Sequence, residues 1–251
     1  MLTWDADDSF ELGDTTFVCR PMGHRFESEP GRFCLLKKRP DVEWYERLVR
    51  EREPRSIVEV GSYDGASSAF LAEIARPARV VAIDVRPEPT SALTDFITRR
   101  GLAGALTPHY GVDQSDTARL REIVDDAFGA TSFDGGALDL VIDDASHLVD
   151  PTRATFNCLF PRLREGGLYV IEDWAWAHSA FAARGAWADQ RPLTALVFEL
   201  VLACGSHPRY ISSVNVTLDY TVVERGPAPI DRDAFDLTKC FGPRGAALIA
   251  D

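Results

Sequence analysis

Basic residues, cysteines and long apolar runs are scarce in this 251-residue chain, and each scarcity argues against a class of protein. The chain has only 27 basic residues against 39 acidic ones, and its net charge of −12 argues against nucleic acid or an anionic membrane surface as partner. Its five cysteines show no C-x-x-C spacing, so neither a zinc knuckle nor a disulfide framework is indicated. No apolar run approaches the ~20 residues of a membrane span, and no signal peptide is apparent, so we expect a cytoplasmic protein.

From Ser56 onward, short β-branched runs alternate with longer helical patterns, which predicts an α/β fold with a mostly parallel sheet. Strands are expected at 56–61, 79–84, 105–110, 138–143 and 168–171. Helices are expected at 67–75, 91–100, 116–128, 151–163 and 192–204. Two further β-rich runs, 209–214 and 218–224, are joined too closely for a parallel crossover and therefore predict an antiparallel hairpin.

The helix at 151–163 carries clear boundary signals. Asp150 is placed as its N-cap, with Pro151 at the first helical position. The pair Gly166-Gly167 is expected to mark its end, before the strand at 168–171.

Two glycines follow the first strand of the predicted sheet. Gly61 and Gly65 lie at the mouth of a helix, where glycine permits a tight turn and a close approach to a ligand. Asp84 ends the second strand, where a carboxylate can accept both hydroxyls of a ribose. A dinucleotide pyrophosphate prefers G-x-G-x-x-G, and Tyr63 stands at the middle glycine position, so the motif favours a nucleoside without phosphates.

Acidic residues collect at the ends of the fourth and fifth strands. Asp144 follows one strand, and Glu172 and Asp173 follow the next, so these carboxylates should converge at one edge of the sheet. Carboxylates packed together repel one another unless a cation lies among them, which predicts a hard divalent ion, with Mg²⁺ the first choice. His147 lies three residues beyond Asp144 and is placed to accept a proton from a hydroxyl. Asp143 points to the other face, either toward a cofactor or into a structural hydrogen bond.

Over about residues 56–224, the sequence resembles the class I S-adenosylmethionine-dependent methyltransferases, whose first motif has the E-x-G-x-x-x-G form seen here. The D-x-x-H pattern followed by E-D is similar to that of the metal-dependent sugar O-methyltransferases of macrolide and aminocoumarin biosynthesis and of the cephalosporin-hydroxylase-like family. Catechol O-methyltransferases share the metal layout but have Lys and Asn where this chain has His147 and Asp173.

This resemblance implies a Rossmann-like class I methyltransferase fold, with a seven-stranded, mostly parallel sheet and a C-terminal antiparallel hairpin. It implies S-adenosyl-L-methionine and Mg²⁺ as cofactors, with His147 as general base and, as metal ligands, Asp144, Glu172 and Asp173. The residues it places at the cofactor are Glu59, Gly61, Tyr63, Gly65, Ser67, Asp84, Asp113, Gln114, Ser115 and Asp143. For Asp113 and Gln114, a solvated loop is the alternative.

The domain organisation is predicted from the residues that precede the first helix, and the assembly from the resemblance. Residues 1–40 precede a helix that opens at Pro40, and we expect them to be an N-terminal appendage or lid on a methyltransferase domain of residues 41–251. The resemblance also implies a homo-oligomer, a dimer or larger.

The expected activity is methylation of a sugar hydroxyl, on a natural-product glycoside or on a methylated oligosaccharide such as a methylmannose polysaccharide precursor. A catechol-type small-molecule O-methyltransferase, a nicotinamide dehydrogenase and a non-catalytic nucleoside-binding module are the alternatives. Trp174 and Trp176, next to the acidic pair, either stack on a sugar or fill the core, and a role for His178 stays open.

Overall fold

The computed structural model describes residues 1–21, 27–76, 79–129, 137–180 and 188–248. The chain divides into two compact units, Met1–Val112 and Asp113–Asp251. Among the described residues, no helix combines the length and the apolar character needed to cross a membrane.

The first unit contains a small sheet and three parallel strands of the main sheet. The small sheet has the order β1-β2-β3, with β1 antiparallel and β3 parallel to β2. The parallel strands have the order β6-β5-β4. The elements are β1 (Ser9–Leu12), β2 (Thr15–Cys19), β3 (Arg32–Leu35), α1 (Arg39–Arg52), β4 (Ser56–Val60), α2 (Ala66–Ile74), β5 (Arg79–Asp84), α3 (Ser91–Arg99) and β6 (Leu106–Tyr110).

Phenylalanines hold the small sheet against the helices of this unit. The rings of Phe10, Phe17 and Phe33 stack in succession, with centroids 5.4 and 5.5 Å apart. Phe70 of α2 meets Phe10 edge to face, and Phe96 of α3 meets Phe33 in the same way. All five side chains are buried. Residues before position 40 therefore contribute to the core of the unit, and their role as a lid stays a prediction.

The second unit contains a parallel pair of strands followed by an antiparallel hairpin. Its strand order is β7-β8-β10-β9, and β10 runs antiparallel to both of its neighbours. The elements are α4 (Thr117–Phe128), β7 (Leu138–Asp143), α5 (Val149–Leu159), β8 (Leu163–Glu172), α6 (Thr194–Ser206), β9 (Ile211–Val216), β10 (Tyr220–Arg225) and α7 (Pro243–Ala246).

Strands β4 to β10 belong to one seven-stranded, mostly parallel sheet. This confirms the predicted α/β class and the Rossmann-like arrangement, and β9 and β10 confirm the predicted C-terminal hairpin. The strands β4, β5 and β7 are almost fully buried, as expected for strands covered on both faces.

The predicted boundaries of the helix at 151–163 are wrong at both ends. Leu148 takes the N-cap position, and Asp150 lies in the first turn, where its charge still favours the helix dipole. The helix ends at Leu159, a short 3₁₀ turn follows, and β8 begins at Leu163. The glycine pair therefore lies inside a strand, where Gly166 has a φ of 72° and the pairing of β7 with β8 is irregular. A glycine pair serves either as a helix stop or as a strand irregularity, and the local sequence does not distinguish the two.

Candidate functional site

A loop with positive φ angles connects β4 to α2 in the first unit. Gly61 and Gly65 have φ values of 94° and 88°, and the Gly61 N–H donates to the carbonyl of Ile83, 2.8 Å away. A Cβ atom added to Gly65 would lie 2.6 Å from Cδ2 of Leu93. Glycine is therefore required at position 65 both by its φ and by the close packing of α3.

Asp84 lies at the end of β5, and its side chain is fixed by backbone amides. Its Oδ2 accepts from the Tyr63 N–H at 2.6 Å, and its Oδ1 accepts from the Arg86 N–H at 2.8 Å. Because a carboxylate has about four acceptor positions, two remain for other donors. The residue is thus held in place by the loop and still has the acceptor capacity that a ribose diol requires.

Tyr63 presents its ring to solvent at the rim of this loop. Its side chain is 55% exposed, although large aromatic side chains are usually covered. The Arg86 guanidinium carbon lies 4.7 Å from the ring centroid, a cation–π arrangement. Backbone strain is also present, since Tyr63 has a φ of 51°. The loop therefore displays a flat aromatic surface beside Asp84.

The other predicted cofactor residues of this unit lie on the two elements that flank the loop. Glu59 is buried on β4, and its carboxylate accepts a hydrogen bond from the hydroxyl of Ser68 on α2. Ser67 is the second residue of α2 and is half-buried. Contact of either side chain with a cofactor stays a prediction.

Sequence reasoning missed the residues that anchor this loop from outside. The buried carboxylate of Asp64 accepts from the hydroxyl of Ser28, and its backbone carbonyl accepts from the hydroxyl of Thr90 at 2.8 Å. Burial raises the pKa of Asp64. The hydroxyl of Tyr110 donates to the Tyr63 carbonyl at 3.0 Å, and burial raises the pKa of Tyr110 to about 12. No sequence signal identifies Ser28, which lies 36 residues from its partner.

In the second unit, the three residues predicted near the adenine differ in exposure. Asp113 and Ser115 are exposed and form a local turn in which the Asp113 carboxylate accepts from the Ser115 N–H at 2.7 Å. Gln114 lies between these two residues in the sequence, but its side chain is buried, so the solvated-loop alternative is wrong for this residue. Cofactor contact stays a prediction for all three.

Asp143, the last residue of β7, is enclosed by hydrogen bonds. Its carboxylate accepts from the hydroxyl of Tyr169 at 2.8 Å and from Nε2 of Gln114 at 3.3 Å. Burial raises the pKa of Asp143 to about 7. The side chain thus makes the structural hydrogen bonds that were one of its two alternatives, and its contact with a cofactor stays a prediction.

Asp144, His147 and Asp173 converge beyond the ends of β7 and β8. Each offers one ligand atom, and these atoms all lie within 4.8 Å of one another. His147 and Asp173 have φ values of 56° and 53°, which are uncommon for residues other than glycine. Two carboxylates and an imidazole at this spacing form a donor set that fits a divalent cation.

Glu172 directly precedes Asp173 in the sequence, but it does not belong to this group of three residues. It is the last residue of β8 and is buried opposite Tyr220 of β10. The structure therefore brings together two of the three predicted ligands with the predicted base, and a ligand role for Glu172 stays a prediction.

Aromatic side chains lie beside the acidic group. The ring centroid of Trp176 is 6.3 Å from that of His147. Trp174 donates from its indole nitrogen to the Thr217 carbonyl at 2.7 Å, and its ring lies 6.3 Å from that of His178. Both tryptophans are half-buried, so neither is a core residue, and His178 is exposed.

Part of the chain matches a known protein family, and shorter segments match individual enzymes. Residues 58–174 match a family described as "Methyltransferase domain". The chain is similar to 8-demethyl-8-alpha-L-rhamnosyl tetracenomycin-C 2'-O-methyltransferase of Streptomyces olivaceus, with 48% identity over 61 residues, which are 24% of this chain and 14% of that protein. It is also similar to demethylmacrocin O-methyltransferase of Streptomyces fradiae, with 58% identity over 61 residues, covering 24% and 13% of the two chains.

A solved structure extends the likeness to the fold. The MycE methyltransferase of the mycinamycin biosynthetic pathway, in complex with Mg, SAH and mycinamycin VI, matches with a TM-score of 0.55 and 24% identity. The match covers 74% of this chain and 49% of that one. The chain thus spans about half the length of this structural neighbour. The matched segments cover about a seventh of the length of each of the two Streptomyces proteins. These findings confirm the predicted resemblance to the class I methyltransferases.

The packing around Gly65 predicts a graded cost for two alanine substitutions. Gly101 has a φ of 65° with open space around its Cβ position, so Gly101→Ala should cost about 1 kcal/mol for backbone strain alone. Gly65→Ala adds the clash with Leu93 and should cost about 1–3 kcal/mol more. Urea unfolding of both variants measures the difference, and equal costs would contradict the packing described here.

Backbone strain at His147 predicts an unusual order of stability between two variants. Because glycine tolerates positive φ and alanine does not, His147→Gly should be more stable than His147→Ala by about 1 kcal/mol. At the exposed His207, where φ is −133°, the same pair should show no such advantage for glycine. Denaturant unfolding in the presence of EDTA compares the four variants, and a less stable His147→Gly would refute strain at this position.

Proposed function

We propose that the chain transfers the methyl group of S-adenosylmethionine to a sugar hydroxyl, because residues 58–174 match a methyltransferase-domain family and the fold is similar to that of class I methyltransferases. The observation that carries the proposal is the convergence of Asp144, His147 and Asp173 within 4.8 Å. A nucleoside-binding module without catalysis has no use for two carboxylates and an imidazole gathered in this way.

The first unit supplies the residues that would bind the nucleoside of the methyl donor. Asp84 would accept hydrogen bonds from the ribose hydroxyls, since its backbone bonds leave acceptor positions available. The loop from Gly61 to Gly65 would face the methionine part, with Glu59 and Ser67 flanking it. The exposed ring of Tyr63 would cover the bound nucleoside.

The second unit supplies the residues that would hold Mg²⁺. Asp144 and Asp173 offer carboxylate oxygens, which Mg²⁺ prefers over nitrogen donors, and Glu172 would add a third. When bound, the ion would supply positive charge that favours ionisation of the acceptor hydroxyl and fixes its orientation. This preference for oxygen leaves the imidazole of His147 available for proton transfer.

His147 would act as the general base. An aliphatic hydroxyl is almost fully protonated at neutral pH, and an imidazole is the side chain best matched to remove its proton there. As the proton passes to His147, the acceptor oxygen forms a bond to the methyl carbon and the bond between that carbon and sulfur breaks. The products are a methyl ether, a protonated imidazole and neutral S-adenosylhomocysteine.

A glycosylated natural product is the acceptor class that the relatives favour. The name of the Streptomyces olivaceus relative, a 2'-O-methyltransferase of a rhamnosyl tetracenomycin, identifies such a compound as the acceptor of that protein. The half-buried rings of Trp174 and Trp176 lie near the acidic group and suit the apolar face of a sugar ring. A methylated oligosaccharide offers the same chemistry and stays within the proposal.

The cellular setting and assembly follow as further parts of the proposal. We expect a cytoplasmic enzyme that forms a homo-oligomer, a dimer or larger, and residues 1–40 would serve as a lid on the domain of residues 41–251. The net charge of −12 supports a small-molecule or oligosaccharide acceptor over nucleic acid.

Substitution of His147 tests the mechanism and separates its two possible roles. If His147 is a base, His147→Ala should lower kcat on an aliphatic glycoside by about 10²- to 10⁴-fold, while the affinity for Mn²⁺ changes by less than about threefold. Turnover is measured with labelled S-adenosylmethionine, and Mn²⁺ binding is measured by electron paramagnetic resonance. His207→Ala, an exposed histidine on the same unit, serves as the control and should retain full turnover.

Four outcomes would oppose the proposal. Full turnover by His147→Ala with a phenolic acceptor would favour the catechol-type alternative, because a phenol with a pKa near 10 needs less activation. Lost Mn²⁺ affinity in this variant would make His147 a ligand. Activity that survives EDTA would eliminate the metal, and S-adenosylmethionine binding without turnover on any glycoside would leave a binding module.

A further inference from the structure

Gln114 lies between β6 and α4, and its side chain is only 6% exposed. Its Nε2 donates to the Asp143 carboxylate at 3.3 Å and to the hydroxyl of Thr155 at 3.1 Å. Its Oε1 accepts from the backbone N–H of Ser146 at 2.8 Å. A single side chain thus connects the end of β7, the loop that follows it and the helix α5.

These bonds hold the loop at the residue before each of two members of the candidate metal group. Asp143 directly precedes Asp144, and Ser146 directly precedes His147. His147 has a φ of 56°, an unfavourable conformation that persists only where surrounding contacts enforce it. The hydrogen bond from the Ser146 N–H to Gln114 holds the peptide between Ala145 and Ser146, one residue before this strained residue.

The hydrogen-bonding capacity of Gln114 is almost fully used within the protein. An amide side chain has two N–H donors and two acceptor positions on its oxygen. Both donors are taken, by Asp143 and Thr155, and one acceptor position is taken by Ser146. An adenine nitrogen could therefore accept from this amide only if a buried hydrogen bond were broken, and a single acceptor position on the oxygen stays available.

We propose that Gln114 is a positioning residue that orients Asp144 and His147 by holding the loop between β7 and α5. The proposal rests on the proposed function, since it assigns Gln114 to the metal centre of that function. It differs from the sequence-based expectation, which placed this residue at the adenine. Partners that orient metal ligands without touching the metal typically contribute 10- to 100-fold in affinity or activity.

The test compares two substitutions in the 251-residue chain, each of which keeps the approximate shape of the side chain that it replaces. Gln114→Met keeps the length of the side chain and removes all of its hydrogen bonds to the loop. Thr155→Val removes the hydroxyl that accepts from Gln114 and leaves the bonds to Asp143 and Ser146 in place. Mn²⁺ affinity is measured by electron paramagnetic resonance, S-adenosylmethionine affinity by titration calorimetry, and folding by circular dichroism and thermal unfolding.

We expect Gln114→Met to weaken Mn²⁺ binding by about 10- to 100-fold and to change the affinity for S-adenosylmethionine by less than about twofold. Thr155→Val should keep Mn²⁺ affinity within about threefold while also losing thermal stability. If Gln114→Met does not fold, Gln114→Asn, which is shorter by one methylene group, is expected to show the same selective loss.

Several results would overturn the proposal. Weakened S-adenosylmethionine binding with normal Mn²⁺ affinity would make Gln114 a cofactor contact. Unchanged Mn²⁺ affinity, or equal losses in Gln114→Met and Thr155→Val, would reduce it to an ordinary buried residue. If the unsubstituted chain binds no Mn²⁺, the metal centre itself fails, and this outcome is recognised before any variant is made.

Discussion

The register of two neighbouring parallel strands determines where the acidic residues of the candidate site lie. β7 and β8 pair with Asp143 opposite Ile171, so the two strands end at nearly the same level. Asp144 and Asp173, which come just after this pair, therefore reach one edge of the sheet from distant parts of the sequence. Two carboxylates held this close repel each other, and a divalent cation is the partner that offsets the repulsion.

Backbone strain occurs at several residues of the candidate site and of the glycine loop after β4. The described residues include five non-glycine residues with positive φ, and three of them are Tyr63, His147 and Asp173. Each such residue costs of order 1–3 kcal/mol, so the surrounding contacts must enforce the conformation. At Tyr63 these contacts are bonds to Asp84 and Tyr110, and near His147 they include the bond from the Ser146 amide to Gln114. These three residues lie in loops that follow strands, and their backbone conformation sets the direction of side chains predicted to belong to the site.

Buried carboxylates serve both units as internal anchors. Asp64 ties the loop after β4 to Ser28, and Asp143 ties the end of β7 to Tyr169 and Gln114. Burial raises the pKa of both groups, because desolvation disfavours the charged form. Hydrogen-bond donors around each group compensate for part of this cost. The same residue type thus fixes loops from inside the protein and, when half-buried at the strand ends, forms the candidate metal site.

From residue 56 onward, the order of strands and helices and the C-terminal hairpin were predictable from the sequence, as were the glycine loop with Asp84 and the convergence of Asp144 with Asp173. Hydrophobic periodicity, turn residues and strand order are local or topological properties, which explains this success. Long-range packing, by contrast, determines that Gln114 is buried, that Ser28 bonds Asp64, and that phenylalanines before residue 40 enter the core. It also determines that Gly166 lies within β8. These features depend on partners far away in the chain, whose side chains meet only after the sheet and helices have packed, and no local pattern encodes such meetings.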